Sequence, residues 1–312
     1  MSAKKKQKKS NQNNVNKNKK DSFFYGLYKN DYKKLLLIPF FMLILALILI
    51  GHKYAVTGDF FNKGISLSGG VTVTAINENL DGDEIRSILE SEFPGFEINT
   101  RSINEAGVKI GLSVESNILP EDEDSDLFVD RVKELTQDQD ASVESIGASL
   151  GDAFFRQTGL AMLVAFIFMG LVVFAYFRAL VPSAAVILAA FSNIVVTIAI
   201  LNLMNYNLGT AGIAALLMLI GYSVDTDILL TTRLLKEDHS TTFERLIGAM
   251  KTGLTMSVTT LLAATVTFIV AQSAVLREII MIIMIGLIVD LINTWLQNAG
   301  ILRWYMEKKW AN

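Results

Sequence analysis

The sequence predicts a polytopic α-helical membrane protein. It has six transmembrane helices and a small extracytoplasmic α+β domain, ferredoxin-like in its βαββαβ order, between spans 1 and 2. Three observations predict this. Of the 312 residues 51% are hydrophobic and the mean hydropathy is +0.40, which excludes a disordered chain and points to the bilayer. Six apolar runs are each long enough to cross a ~30 Å hydrocarbon core as a helix, the form that satisfies its own backbone groups in lipid. Residues 53–152 are of another kind: they hold 21 Asp plus Glu against 7 Lys plus Arg and alternate strand and helix patterns.

The chain opens on a tail rich in Lys, Asn and Gln, which is expected to be disordered and cytoplasmic over residues 1–33. The run "LLLIPFFMLILALILIG" follows, with no small-x-small cleavage site after it, and predicts a retained first span over 34–52. Pro39 sits in its first turns, where a helix tolerates proline best. Within 53–152, "GGVTVTAIN" reads as a strand, and residues 80–93 space Ile85, Ile88 and Leu89 as a helix. Residues 96–103 and 107–115 read as a hairpin, 125–138 as a second helix with Ser125 as its N-cap, and 141–151 as a last strand. That order is βαββαβ. A five-helix transmembrane bundle is expected over 153–305, with spans at about 154–177, 183–204, 210–232, 254–271 and 277–302, and a cytoplasmic C-terminus over 306–312. The connection at 234–251 is amphipathic and is read as lying on the membrane surface. Its Thr241 and Glu244 have the spacing of a capping box.

Charge orients the spans. The tail to residue 34 carries 11 Lys and Arg. Arg233, Lys236, Arg245 and Lys251 cluster between spans 4 and 5, and Arg303, Lys308 and Lys309 follow span 6. With six spans all three groups fall on one side, so both termini are expected in the cytoplasm and residues 53–152 outside, in the plasma membrane.

The chemistry lies in "IGYSVDTDILLTTR" (220–233) and around Asp290. An intramembrane carboxylate costs about 3 kcal/mol on insertion scales, so it needs a partner, a water cavity or a proton. Asp225 and Asp227 stand two apart, about 200° around a helix, and cannot both face one neighbour. Asp290 has Asn293 and Thr294 at i+3 and i+4. Two readings stay open: proton relay along a pathway, or structural carboxylates held by Ser and Thr of neighbouring helices. Thr252, Thr255, Ser257 and Thr259 of span 5 are candidate hydroxyl partners or close-packing residues. Lys251 and Arg233 are candidate charge partners, Arg233 otherwise snorkelling to the interface.

Other classes are excluded more easily. With no cysteine and two distant histidines there is no thiolate centre and no expected zinc site, and no GxxxxGK[ST] loop is present, so no cofactor is expected. An aspartyl-protease dyad of Asp290 with Asp225 or Asp227 lacks the GxGD and Pro-Ala-Leu motifs that such enzymes carry, and the chain is read as a non-enzyme.

Taken together, "GISLSGGVTV" (64–73, with Gly64, Gly69 and Gly70), "IGYSVDTDILLTTRLL" (220–235, with Gly221, Tyr222 and Ser223), "GLTMSVTTLLAATV" and residues 286–293 resemble the SecF family of Sec protein-export subunits in its archaeal form, over roughly residues 30–305. The resemblance places the chain in the resistance–nodulation–division superfamily of proton-driven transporters. It implies a SecD-like subunit with the other six spans, a SecY-containing translocon, a translocating polypeptide and membrane lipid as partners, and no nucleic acid. It also implies a fourth-span aspartate tied to proton coupling. The bacterial motif, GYS-Leu-Asn-Asp, puts that aspartate at Thr226 when laid ungapped, so Asp225, Asp227 or neither takes its place. The arginine that opens the bacterial fifth span falls at Thr252, beside Lys251. A self-paired proton-driven exporter of small molecules is the alternative reading.

Overall fold

The computed structural model describes residues 31–105, 108–236, 241–271 and 273–310. The predicted tail lies outside these residues up to position 30, as do 106–107 at the hairpin turn and 237–240 between spans 4 and 5. Helices α1 (Tyr32–Leu35) and α2 (Leu37–Thr57) lead to the short α3 (Ile65–Ser68). The α+β domain then runs β1 (Gly70–Ala75), α4 (Gly82–Glu92), β2 (Ile98–Glu105), β3 (Val108–Ser116), α5 (Asp124–Thr136) and β4 (Ser142–Ile146). The long helices are α6 (Ala148–Phe177), α7 (Leu180–Leu203), α8 (Thr210–Lys236), α9 (Thr242–Val270) and α10 (Ala274–Ile292). A π-helical turn, Asn293–Asn298, joins α10 to α11 (Ala299–Trp310).

The strands form one antiparallel sheet in the order β2-β3-β1-β4. Period-2 alternation sends Val71, Val73, Ala75, Ile98, Leu112 and Val114 to one face, where Ile85 and Leu89 of α4 and Phe128 and Val132 of α5 cover them. Phe93 meets Phe128 edge to face at 5.5 Å between ring centres. Asp81 caps α4 by accepting the N–H groups of Asp83 and Glu84. The expected cap of α5 is not where the sequence put it. Glu123 is the N-cap and makes no side-chain cap bond, while Ser125 is buried inside the first turn.

Among the described residues, five helices are long and apolar enough to cross a membrane: Tyr32–Thr57, Ala148–Phe177, Leu180–Leu203, Thr210–Leu235 and Thr242–Val270. The chain is a polytopic membrane protein. Helix α10 is a further apolar helix of 19 residues. Burial ranks the bundle: 61% of the apolar window of α7 and 56% of that of α8 lie inside, against 6% for α6 and 11% for α9. So α7 and α8 form the bundle's centre. Two boundaries differ from expectation. The surface segment at 234–251 is for the most part helix, since α8 runs on to Lys236 and α9 begins at Thr242, behind a capping box made by Thr241 and Glu244. The last predicted span, 277–302, is a longer rod interrupted by the π turn.

The α+β domain is pegged to the turn between α7 and α8. Gly64 N–H donates to the Leu208 carbonyl at 2.9 Å, and Leu208 N–H donates to Asn62 at 2.8 Å. Thr210 N–H donates to Ser66 Oγ at 2.9 Å. The last of these serves an otherwise unpaired amide at the head of α8. Glu278 of α10 adds a carboxylate there, accepting the Gly209 N–H at 3.0 Å.

Candidate functional site

Helices α7, α8 and α10, with the π turn, enclose a polar cluster in the middle of the bundle. Asp290 is 1% exposed and Asp227 fully buried. Asp290 Oδ1 accepts from Ser223 Oγ, from Asn193 Nδ2 at 3.3 Å and from Thr294 Oγ1 at 3.4 Å. Asp227 Oδ1 accepts from Asn298 Nδ2 at 2.7 Å. Gln297 Nε2 donates to Ser192 Oγ at 3.1 Å, tying the π turn to α7.

Local geometry explains the convergence. Ser223 and Asp227 are four apart on α8 and share a face. Asp290 and Thr294 are four apart on the rod made by α10 and the π turn. An i→i+5 turn advances fewer degrees per residue than an α-helix, so it swings Asn298 back into line with Asp290 and Thr294.

Acceptors outnumber donors. Asp227 Oδ2, Asn193 Oδ1, Asn298 Oδ1 and Gln297 Oε1 are buried without a hydrogen-bond partner among the described residues, against one unpaired amide nitrogen, Asn293 Nδ2. Among the described residues neither Lys251 nor Arg233 pairs with Asp225, Asp227 or Asp290. An acceptor-rich, acidic pocket buried in the bundle is chemically suited to taking up a proton or a small cation. Replacing Asn298 with leucine removes the donor that holds Asp227. The expected outcome is a lower melting temperature in detergent, reflecting about 1–3 kcal/mol for an orphaned buried acceptor, while Asn298→Gln recovers part of it.

The remaining candidates lie elsewhere. Asp225 is exposed, on the opposite face of α8 from Asp227, as their spacing requires. With Ala214, Met218, Gly221 and Tyr222 it forms an outward stripe at helical intervals. A Cβ at Gly221 would meet nothing within 4 Å. Thr226 donates to its own helix at Tyr222 O (3.2 Å) and does not join the cluster. Thr252, Thr255 and Thr259 also bond back to their own helix, at Gly248 O, Lys251 O and Thr255 O, rather than to the fourth-span carboxylates. Asn293 is buried three residues on from Asp290, and neither of its amide atoms has a hydrogen-bond partner among the described residues. Gly64 belongs to the peg between domain and bundle, Gly69 lies against Ala148 at the start of α6, and Gly70 opens β1 against the Ser116 carbonyl.

Sequence reasoning missed Asn193, Gln297 and Asn298. Their signal was available as amides inside apolar runs, which in lipid need a partner as carboxylates do. It read Arg245 only as one of the charges that orient the spans. That side chain is buried and its Nη1 donates to Leu234 O at 2.8 Å, capping the C-terminal end of α8.

The profile described as "Protein export membrane protein SecD/SecF, C-terminal" matches residues 128–308. The chain is 37% identical over 286 residues to the protein-export membrane protein SecF of Pyrococcus furiosus, covering 91% of this chain and 94% of that one. It is 38% identical over 290 residues to SecF of Methanolacinia petrolearia, covering 92% and 98%. Among solved structures it superposes on SecDF of Thermus thermophilus, described as a translocon-associated membrane protein, with a TM-score of 0.68 at 22% identity. That match covers 92% of this chain and 39% of the longer SecDF polypeptide, and it speaks for the fold.

Proposed function

This chain belongs to the SecD/SecF family of protein-export membrane proteins, and from that premise we propose how its parts serve export. Its role is that of an auxiliary subunit of the Sec protein-export machinery, as its relatives are named for export and not for catalysis. Six spans cross the plasma membrane, α10 with the π turn and the start of α11 being the sixth. Both termini lie in the cytoplasm and the α+β domain, about residues 53–152, lies outside. The sheet order β2-β3-β1-β4 with two helices on one face supports the ferredoxin-like reading. The partners are a SecD-like six-span subunit, a SecY-containing translocon and the polypeptide in transit.

The observation that carries the coupling mechanism is the buried Asp227–Asp290 cluster. Two carboxylates among unpaired acceptors take up a cation from one side and release it to the other. Their occupancy biases the packing of α8 against α10, and α8 is pegged at its head to the outside domain. Asp225, Gly221 and Tyr222 form instead the face that meets the SecD-like subunit, where small residues admit close helix approach.

Cysteine cross-linking tests the pairing, because the native chain has no cysteine. Gly221→Cys, co-expressed with the SecD-like subunit carrying cysteines along its spans, is expected to give a cross-linked heterodimer. A homodimer as the sole product would move the assignment to a self-paired exporter.

A further inference from the structure

A groove of about 350 Å³ separates the α+β domain from the outer ends of α9 and α10. Five consecutive residues of β2, Asn99 to Ile103, line one wall. Asn99 and Arg101 share one sheet face with Glu115 of β3, which also lines the groove, while Thr100 and Ser102 turn their side chains to the other face, so the groove follows the open face of the sheet and reaches the backbone along the outer edge of β2. Strand β2 is an edge strand, paired to β3 alone. Asn117 N–H donates to the Glu97 carbonyl, which makes 97 and 117 a hydrogen-bonded pair and puts Asn99, Arg101 and Ile103 in the same class. Thr100 and Ser102 therefore turn their backbone N–H and C=O away from β3, towards the groove. No described group pairs with them there.

The opposite wall is mixed. Phe268 and Met281 are apolar, while Arg277 and Glu278 carry opposite charges. At the inner end the Arg101 guanidinium lies over the Tyr206 ring, 5.0 Å from its centre, and 3.7 Å from Glu115. A β-bulge at Ile103/Asn104 ends the free edge. Between Ile98 and Ile103 the strand has neither proline nor lysine, the residues that usually protect an exposed edge.

We propose that this groove binds an extended segment of polypeptide as a temporary fifth strand, added to β2 through the backbone groups of Thr100 and Ser102. The inference rests on the export reading, which supplies an unfolded chain as substrate. The recognition fits such a ligand. Backbone bonds supply affinity without regard to sequence, and a wall of mixed polarity tolerates many side chains.

The test uses the full chain in lipid nanodiscs and a fluorescent peptide of alternating threonine and valine with a lysine at each end. The peptide is expected to bind. The same peptide N-methylated on consecutive amides, which blocks both of its edges, should bind about tenfold more weakly, because the lost bonds are backbone bonds. Ser102→Pro should weaken the unmodified peptide to a similar degree with an unchanged melting temperature, because that N–H faces away from the β2–β3 ladder. Equal binding of methylated and unmethylated peptides overturns the proposal. So does a Ser102→Pro variant that keeps the peptide but loses the SecD-like subunit, since the edge then belongs to the partner. The assay needs no ion gradient and no translocation, so a negative result here leaves the export assignment standing.

Discussion

Replacing both Asp227 and Asp290 with asparagine is expected to leave the chain folded, inserted and paired, and to abolish the gradient-driven part of export. Asparagine is nearly isosteric with aspartate, and its Oδ1 still accepts from Ser223, Asn193, Thr294 and Asn298. Its Nδ2 adds donors to a cluster that lacks them, since the Asn193 and Asn298 oxygens are unpaired. Stability should therefore hold or rise. The variant loses the capacity to carry a charge change. Moving one charge through 100 mV is worth about 2.3 kcal/mol, a bias of roughly fiftyfold on a two-state element. Vesicles holding the subunit, its partner and the translocon measure this directly. Export under an imposed gradient should fall to the rate without one. If the double variant keeps its gradient dependence and Asp225→Asn loses it, the working carboxylate is on the partner face.

The second large effect is expected at Gly70. Its φ is +139°, next to Gly69 at +81°, a region that side chains avoid. A Cβ there would stand 2.2 Å from the Ser116 carbonyl oxygen. That carbonyl has little room to yield, because Ser116 lies on a central strand and turns its backbone groups to Val71 of β1. Strain and overlap together give Gly70→Ala a cost of about 3 kcal/mol or more, a large share of the stability of a domain this size. Limited proteolysis of the membrane-embedded protein should then cut within the α+β domain while the spans stay intact. Gly58→Ala is the control. Its φ is +78°, but a Cβ there meets nothing within 4 Å, so a loss of only about 1 kcal/mol is expected.

Much of this architecture was legible because period and polarity speak locally. The strand alternation of β1, the helical spacing of Ile85 and Leu89, and the capping-box letters at Thr241 and Glu244 each predict their own element. Boundaries failed where a helix outruns its apolar stretch: α9 begins in "TFERLIGAMK", which reads as surface but packs Leu246 and Ala249 inside. Ser125 failed as a cap because the helix begins before it: its own N–H already donates to Asp122 O and its side chain lies inside the first turn. At the site, Asp227 and Asp290 stood out as acids in lipid, but their shared cluster did not. It depends on partners 67, 71 and 97 residues apart, and on a π turn that no residue pattern announced.

That π turn is the trace of one surplus residue in a helix, and it makes the length of the chain between Asp290 and Asn298 a functional quantity. Delete one residue there and the rod can run α-helical throughout, its far end turned by about a quarter of a circle or more. Asn298 then leaves Asp227, and Gln297 leaves Ser192, although every side chain of the site is still present. Exposed connections of this protein are free to lengthen or shorten over generations; these nine positions are not.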